Sequence, residues 1–178
     1  MWALQRRCER IAAELGLPRP FALAQLIEAI ELKRGRPLKV IEEHLGTVEN
    51  MPCGMWLPFP EVDVVVVEQW ASQAHRDHIC LHELAHILCD HRGSAVLASG
   101  YLAKLLPDLA PEQVAKVLAR TSYDSEQERE AEVMATLLGR YLAPPSGSGG
   151  PGRNGSTRAL RDEVMEQLAK ALGTDKLP

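Results

Sequence analysis

The eleven residues LHELAHILCDH (81–91) constrain this chain more than any other stretch. A four-residue spacing puts His82 and His86 on one helical face about one turn apart, so both imidazoles can point at a single cation. Glu83 lies roughly 60° around the helix from His86, beside such a cation rather than on it. The flanking Leu81, Leu84, Ala85, Ile87 and Leu88 make the helix apolar nearly all round, which predicts burial. Three ionisable side chains on a buried helix cost several kcal/mol unless they are paired or bound to metal. A chance match decorating an ordinary helix is the competing reading, and the apolar flanks weigh against it.

The pattern is the HExxH arrangement of metallopeptidases, in which the glutamate acts as general base on a water whose pKa the metal lowers from about 16 to about 7. A catalytic zinc needs a third protein ligand and one open position. His91 is the nearest candidate, but HELAHILCDH lacks the glycine turn of HExxHxxGxxH and its last histidine arrives one residue early. On a continuing helix His91 is rotated away from His86, and it is expected to meet the last helical carbonyls instead. The alternative source is EQEREAEVMATLLGRYL. There Glu128 leads a stripe through Ala131, Ala135, Leu138 and Leu142, and the two alanines would let this helix lie close to the HExxH helix. Glu130 leads its own stripe through Val133, Met134, Leu137 and Tyr141, so periodicity alone does not choose between them. A solvated glutamate cluster at a helix start, favoured by the macrodipole, remains open as well.

The chain has 178 residues, one domain by length and enough to bury a core without staples, so a metal is expected to be functional rather than structural. A net charge of −4 leaves no polybasic footprint, which argues against direct nucleic-acid binding. Cys8, Cys53, Cys80 and Cys89 form no CxxC pair and predict reduced thiols. The first 17 residues mix Arg and Glu into their apolar positions, unlike a secretory signal, and no run approaches the roughly 20 apolar residues of a membrane span. A cytoplasmic protein without membrane partners is expected.

Helical spacing predicts helices over 2–15 and 20–33, separated by GLPRP. RPLKVIEEHL, CGMWLPF and VDVVVVEQW predict a small, about three-stranded antiparallel sheet, with VVVV buried on both faces. A helix from Ser72, its N-cap, to about His91 should end at Gly93. Shorter helices are expected near 95–106 and 111–120. SEQE, with Ser125 and Glu128, predicts a capping box opening a helix that runs to Leu142. Residues 143–156 have the composition of a flexible linker, and 157–173 the pattern of one last amphipathic helix before the tail to 178. The expected class is α+β, mostly helical, with the sheet packed against the HExxH helix.

HELAHILCDH followed some forty residues later by EREAEVMATLL resembles the ImmA/IrrE family of metallo-endopeptidases, a gluzincin-like group with HExxH and a downstream ExxxN or ExxxD motif. The likeness covers roughly residues 20–142 and is nearest to small actinobacterial members of regulator or toxin-component type. It implies a zincin-like domain over residues 1–142, His82, His86 and Glu128 as ligands of Zn²⁺ or Mn²⁺, and Glu83 as general base. Glu132 occupies the usual Asn/Asp position, from which it would orient a ligating histidine. Met134 replaces a common Phe, and LLGRYLAPP replaces the usual LLMP ending. The family's known substrates imply cleavage of a helix-turn-helix transcriptional repressor. The alternative is a metal-binding regulator or toxin–antitoxin component that holds its partner without cutting it, and a third reading is an HExxH relic with no metal.

A substrate would lie along an edge strand, with CGMWLPF or VDVVVVE as that edge. Tyr123, near the start of the ligand helix, is a candidate donor to the developing oxyanion. Cys89 reads as a small buried residue before a redox-sensitive neighbour, Cys53 as a turn residue before a thiolate plug, and His78 as a solvated or cleft-lining histidine. Trp56 and Trp70 read as core or strand aromatics.

Overall fold

The computed structural model describes residues 2–43, 53–58, 61–91 and 124–144. Two amphipathic helices come first, α1 (Trp2–Glu14) and α2 (Leu23–Arg34), the latter closed by Gly35 in the left-handed region at φ 66°. Strands β1 (Leu38–Glu43), β2 (Gly54–Pro58) and β3 (Asp63–Glu68) follow, then α3 (Gln73–Leu88) and α4 (Ser125–Gly139). The class is α+β. The helices expected near 95–106, 111–120 and 157–173, residues 145–156 of the expected linker, and Tyr123 all lie outside the described residues.

The sheet has the order β1-β3-β2 and is mixed, not antiparallel throughout. β3 pairs antiparallel with β2 (Trp56 opposite Val65) and parallel with β1 (Leu38 opposite Asp63). A connection of ten residues between β1 and β2 is long enough for β2 to pass to the far side, and strand periodicity carries no information about that order. Val64, Val65, Val66 and Val67 are all buried, as a continuous apolar run requires of a central strand covered on both faces. Being central, β3 has no edge to offer a substrate, so VDVVVVE is excluded and, of the two segments considered, only β2 remains.

Asp63 locks the start of β3 to its neighbours. Its fully buried carboxylate accepts from Arg34 Nε at 3.1 Å, Arg36 Nε at 2.7 Å and the Trp56 indole at 2.8 Å. Each partner comes from a different stretch, so one charge-assisted cluster ties α2, the turn leading into β1, and β2 to the start of β3. Trp56 is thus a core aromatic, whereas Trp70 is an exposed turn residue, contrary to expectation.

Helix α3 crosses β2 and β3 with Ile79, Leu81, Leu84, Ala85 and Leu88 in the common core. Ser72 caps it through a bond from the His75 amide. Helix α4 packs on α3 and α1 through Ala131, Met134, Ala135 and Leu138, all buried. Its N-cap is Asp124, not Ser125: Asp124 accepts from the Glu126 and Gln127 amides while Gln127 closes the box. The one-residue shift leaves Glu128 free for other work. Where the chain leaves α4, Leu142 bridges to Phe21, with Phe21 N–H on Tyr141 O at 2.9 Å and Ala143 N–H on Phe21 O at 2.8 Å.

β2 approaches α3 so closely that Gly54 is required. A Cβ there would collide with Ile79 Cγ2 and stand 3.0 Å from Glu83 Oε1. Gly54→Ala is expected to destabilise the protein by about 1–3 kcal/mol in urea unfolding, the usual cost of overpacking. Ile79→Ala removes the obstructing methyl, so the double variant should lose less than the sum of the singles; strict additivity would mean that this contact is not the cause.

Candidate metal centre

The α3 geometry brings His82 and His86 to one side, and the close α3–α4 packing brings Glu128 opposite them. His82 Nε2 lies 3.1 Å from His86 Nε2 and 3.2 Å from Glu128 Oε2, and His86 Nε2 lies 3.6 Å from Glu128 Oε1. Ligands about 2.0–2.1 Å from a tetrahedral ion stand about 3.3 Å apart, so these separations fit a zinc-sized site. Two imidazoles and one carboxylate form a donor set that zinc accepts. His86 is buried, His82 half-buried, and Glu128 sits at the exposed edge.

Electrostatics separate the two histidines. Burial, reinforced by His82 and His91, pushes the His86 pKa down to about 2, so the ring is neutral and able to ligate. Burial also pulls His82 down, but its bond to Glu128 and the charges of Glu83, Glu128 and Glu132 outweigh it and raise the pKa above its ordinary value. Glu83 is buried, and desolvation pushes its pKa up to about 7, in the range a general base needs near neutral pH. The Trp56 backbone amide donates to its carboxylate. Its Oε2 is buried without a hydrogen-bond partner among the described residues, an arrangement rarely tolerated unless a further group, a water or a ligand meets that oxygen. Glu83 and His82 line a cleft together with Cys53, Gly54, His78 and Ile79, beside the β2 edge.

Glu132 Oε2 lies 3.5 Å from His82 Nδ1, behind the ring, and 3.4 Å from His78 Nε2. A longer carboxylate therefore still reaches the ligand from the position where the shorter Asn or Asp was expected. Cys53 is exposed at the cleft mouth, whereas Cys89 is buried and burial pushes its thiol up to about 12, the state of an inert core residue.

Sequence reasoning missed a second row of residues. The α3 helix stops at Leu88, and Asp90 enters the left-handed region at φ 53°, which Asp tolerates better than most residues. His91 N–H then bonds back to His86 O at 3.0 Å, and the His91 ring turns under the site rather than away from it. His91 Nδ1 is 2.9 Å from His86 Nδ1, and His91 Nε2 is 3.2 Å from Glu130 Oε2. Arg7 Nη1 of α1 donates to that same oxygen at 2.9 Å. Both glutamate stripes of α4 therefore face inward: Glu128 at the rim on the ligand side, Glu130 buried behind it. The stripe Glu130–Met134–Leu137 was the signal, and no pattern pointed to Arg7.

Comparisons with protein-family models, with curated proteins and with solved structures return no match.

Proposed function

We propose that this chain is a zinc-dependent endopeptidase that cleaves a protein substrate, and that the substrate is a helix-turn-helix transcriptional repressor. One observation carries the hydrolase reading: three side chains, two imidazoles and both oxygens of one carboxylate, bring ligand atoms 3.1–3.6 Å apart beside a buried glutamate oxygen with no hydrogen-bond partner among the described residues, next to an open cleft. The repressor as substrate rests on the likeness of HELAHILCDH and EREAEVMATLL to the ImmA/IrrE motifs.

His82, His86 and Glu128 would hold the ion, which when bound would supply Lewis acidity for peptide hydrolysis. The remaining steps belong to the chain. Glu83, ionised at neutral pH once a cation lies beside it, takes the proton of the attacking water and delivers it to the departing amine. The backbone of β2 holds the substrate extended, and the bare Gly54 lets that strand lie against Glu83. Glu132 holds His82 from behind. Free Cys8, Cys53, Cys80 and Cys89 favour a reducing compartment, the cytoplasm, and among the described residues no helix is long and apolar enough to cross a membrane.

The test is to incubate the purified protein with helix-turn-helix repressors from the same genome, with zinc and with chelator. Discrete fragments that vanish with chelator are expected. An intact stoichiometric complex would instead make the chain a binding regulator.

A further inference from the structure

We propose that Arg7, Glu130 and His91 form a positioning chain that fixes which nitrogen of His86 carries the proton, so that Nε2 presents its lone pair toward the metal centre. The inference rests on the metal centre proposed above and adds residues that lie outside its ligand set.

The argument is one of proton counting. Two Nδ1 atoms 2.9 Å apart, one on His86 and one on His91, can share a single proton. Which ring supplies it is decided at the far ends. Glu130 Oε2 already accepts from the Arg7 guanidinium at 2.9 Å, and a carboxylate in an ion pair is an acceptor only. His91 Nε2, 3.2 Å from that oxygen, therefore donates to it, and a His91 ring with that single proton presents a lone pair at Nδ1. His86 must then donate from Nδ1, which leaves Nε2 unprotonated and directed at His82 and Glu128. The site is set in the ligating tautomer before any ion arrives. Placing the proton on Nε2 instead would set two Nδ1 lone pairs against each other at 2.9 Å.

Cys89, His91 and Glu130 also lie close enough to suggest a second ion. The chemistry disfavours it: both His91 nitrogens are engaged, the Arg7 guanidinium already sits against Glu130 Oε2 with only Oε1 left over, and burial pushes the Cys89 thiol up to about 12. Positioning explains the cluster with every named proton accounted for. Arg7 is half-exposed and its ion pair correspondingly screened, so the buried members carry most of the effect.

The test uses the full chain without metal, ¹⁵N-labelled at histidine, and long-range ¹H–¹⁵N spectra that distinguish the two tautomers. His86 protonated at Nδ1 and His91 at Nε2 are expected; His86 protonated at Nε2 overturns the proposal. Zinc affinity is read separately by competition with a chelating dye. His91→Leu should weaken it about 10–100-fold, the usual effect of removing a partner behind a ligand. His91→Gln spans the same gap with an acceptor and a donor and should stay within about threefold of the unaltered chain. His91→Leu binding zinc as tightly as the unaltered protein, or two zinc ions per chain with one lost in that variant, overturns the proposal. If His91→Leu fails to fold, the tautomer spectrum and His91→Gln decide. An unaltered chain that binds no zinc removes the metal-centre reading, yet the spectrum still tests the proton arrangement by itself.

Discussion

Glu83→Gln is expected to lower peptide hydrolysis by about 10²–10⁴-fold, the typical contribution of a positioned general base, while leaving zinc stoichiometry at one per chain. The amide fills the same volume and can still meet the Trp56 N–H through its oxygen, but cannot take a proton from water. Fragment yield against time reads the first effect and elemental analysis the second. Cleavage at the unaltered rate would remove Glu83 from the chemistry. The same substitution has a signature in stability. In the metal-free protein the Glu83 carboxyl is pushed up to about 7 by burial, against an ordinary 4.5, so between those values the folded state holds a proton that the unfolded chain has released. Its stabilising contribution is therefore full below pH 4.5 and is lost as pH rises through about 7. Metal-free Glu83→Gln should be more stable than the unaltered protein at pH 8 and should lose that advantage at pH 4. An equal gap at both values would mean that Glu83 does not titrate as its burial requires.

Zinc at about 1,000 times its dissociation constant is expected to stabilise the fold by about 4 kcal/mol. For a chain of this size each kcal/mol moves the melting midpoint by about 2–4 °C, so the rise should be about 8–16 °C. Scanning fluorimetry with zinc or with chelator measures it. His86→Ala and Glu128→Ala should each abolish most of the rise, since neither α3 nor α4 can close the ligand set alone. Identical melting with and without zinc in the unaltered chain would contradict the site.

Much of this centre could be read from the chain. His82, Glu83 and His86 follow from helical spacing alone, and Ala131 and Ala135 do permit the contact that brings Glu128 to them. The Val64–Val67 run identified a strand covered on both faces, because such a strand leaves no alternation to see. What escaped depended on single dihedrals or on long-range order. Asp90 adopts a left-handed conformation with no glycine to announce it, and that one turn decides whether His91 faces solvent or His86. The parallel pairing of β1 with β3 depends on the path of a connection, not on residue pattern. Arg7 meets Glu130 across 123 positions, a separation no local periodicity spans.

The outer margin of β2 sets a length scale for whatever lies along it. β2 has only five residues and closes on Pro58, which has no amide hydrogen to offer a neighbouring backbone. Four residues remain from Gly54 to Leu57, about 13 Å at strand spacing. With the Trp56 amide in that stretch already given to Glu83, a bound segment can be gripped by main-chain bonds over at most about four of its own residues. Recognition of anything longer must come from side chains beyond that short ladder, and peptides trimmed to a handful of residues should still seat beside Glu83 in register.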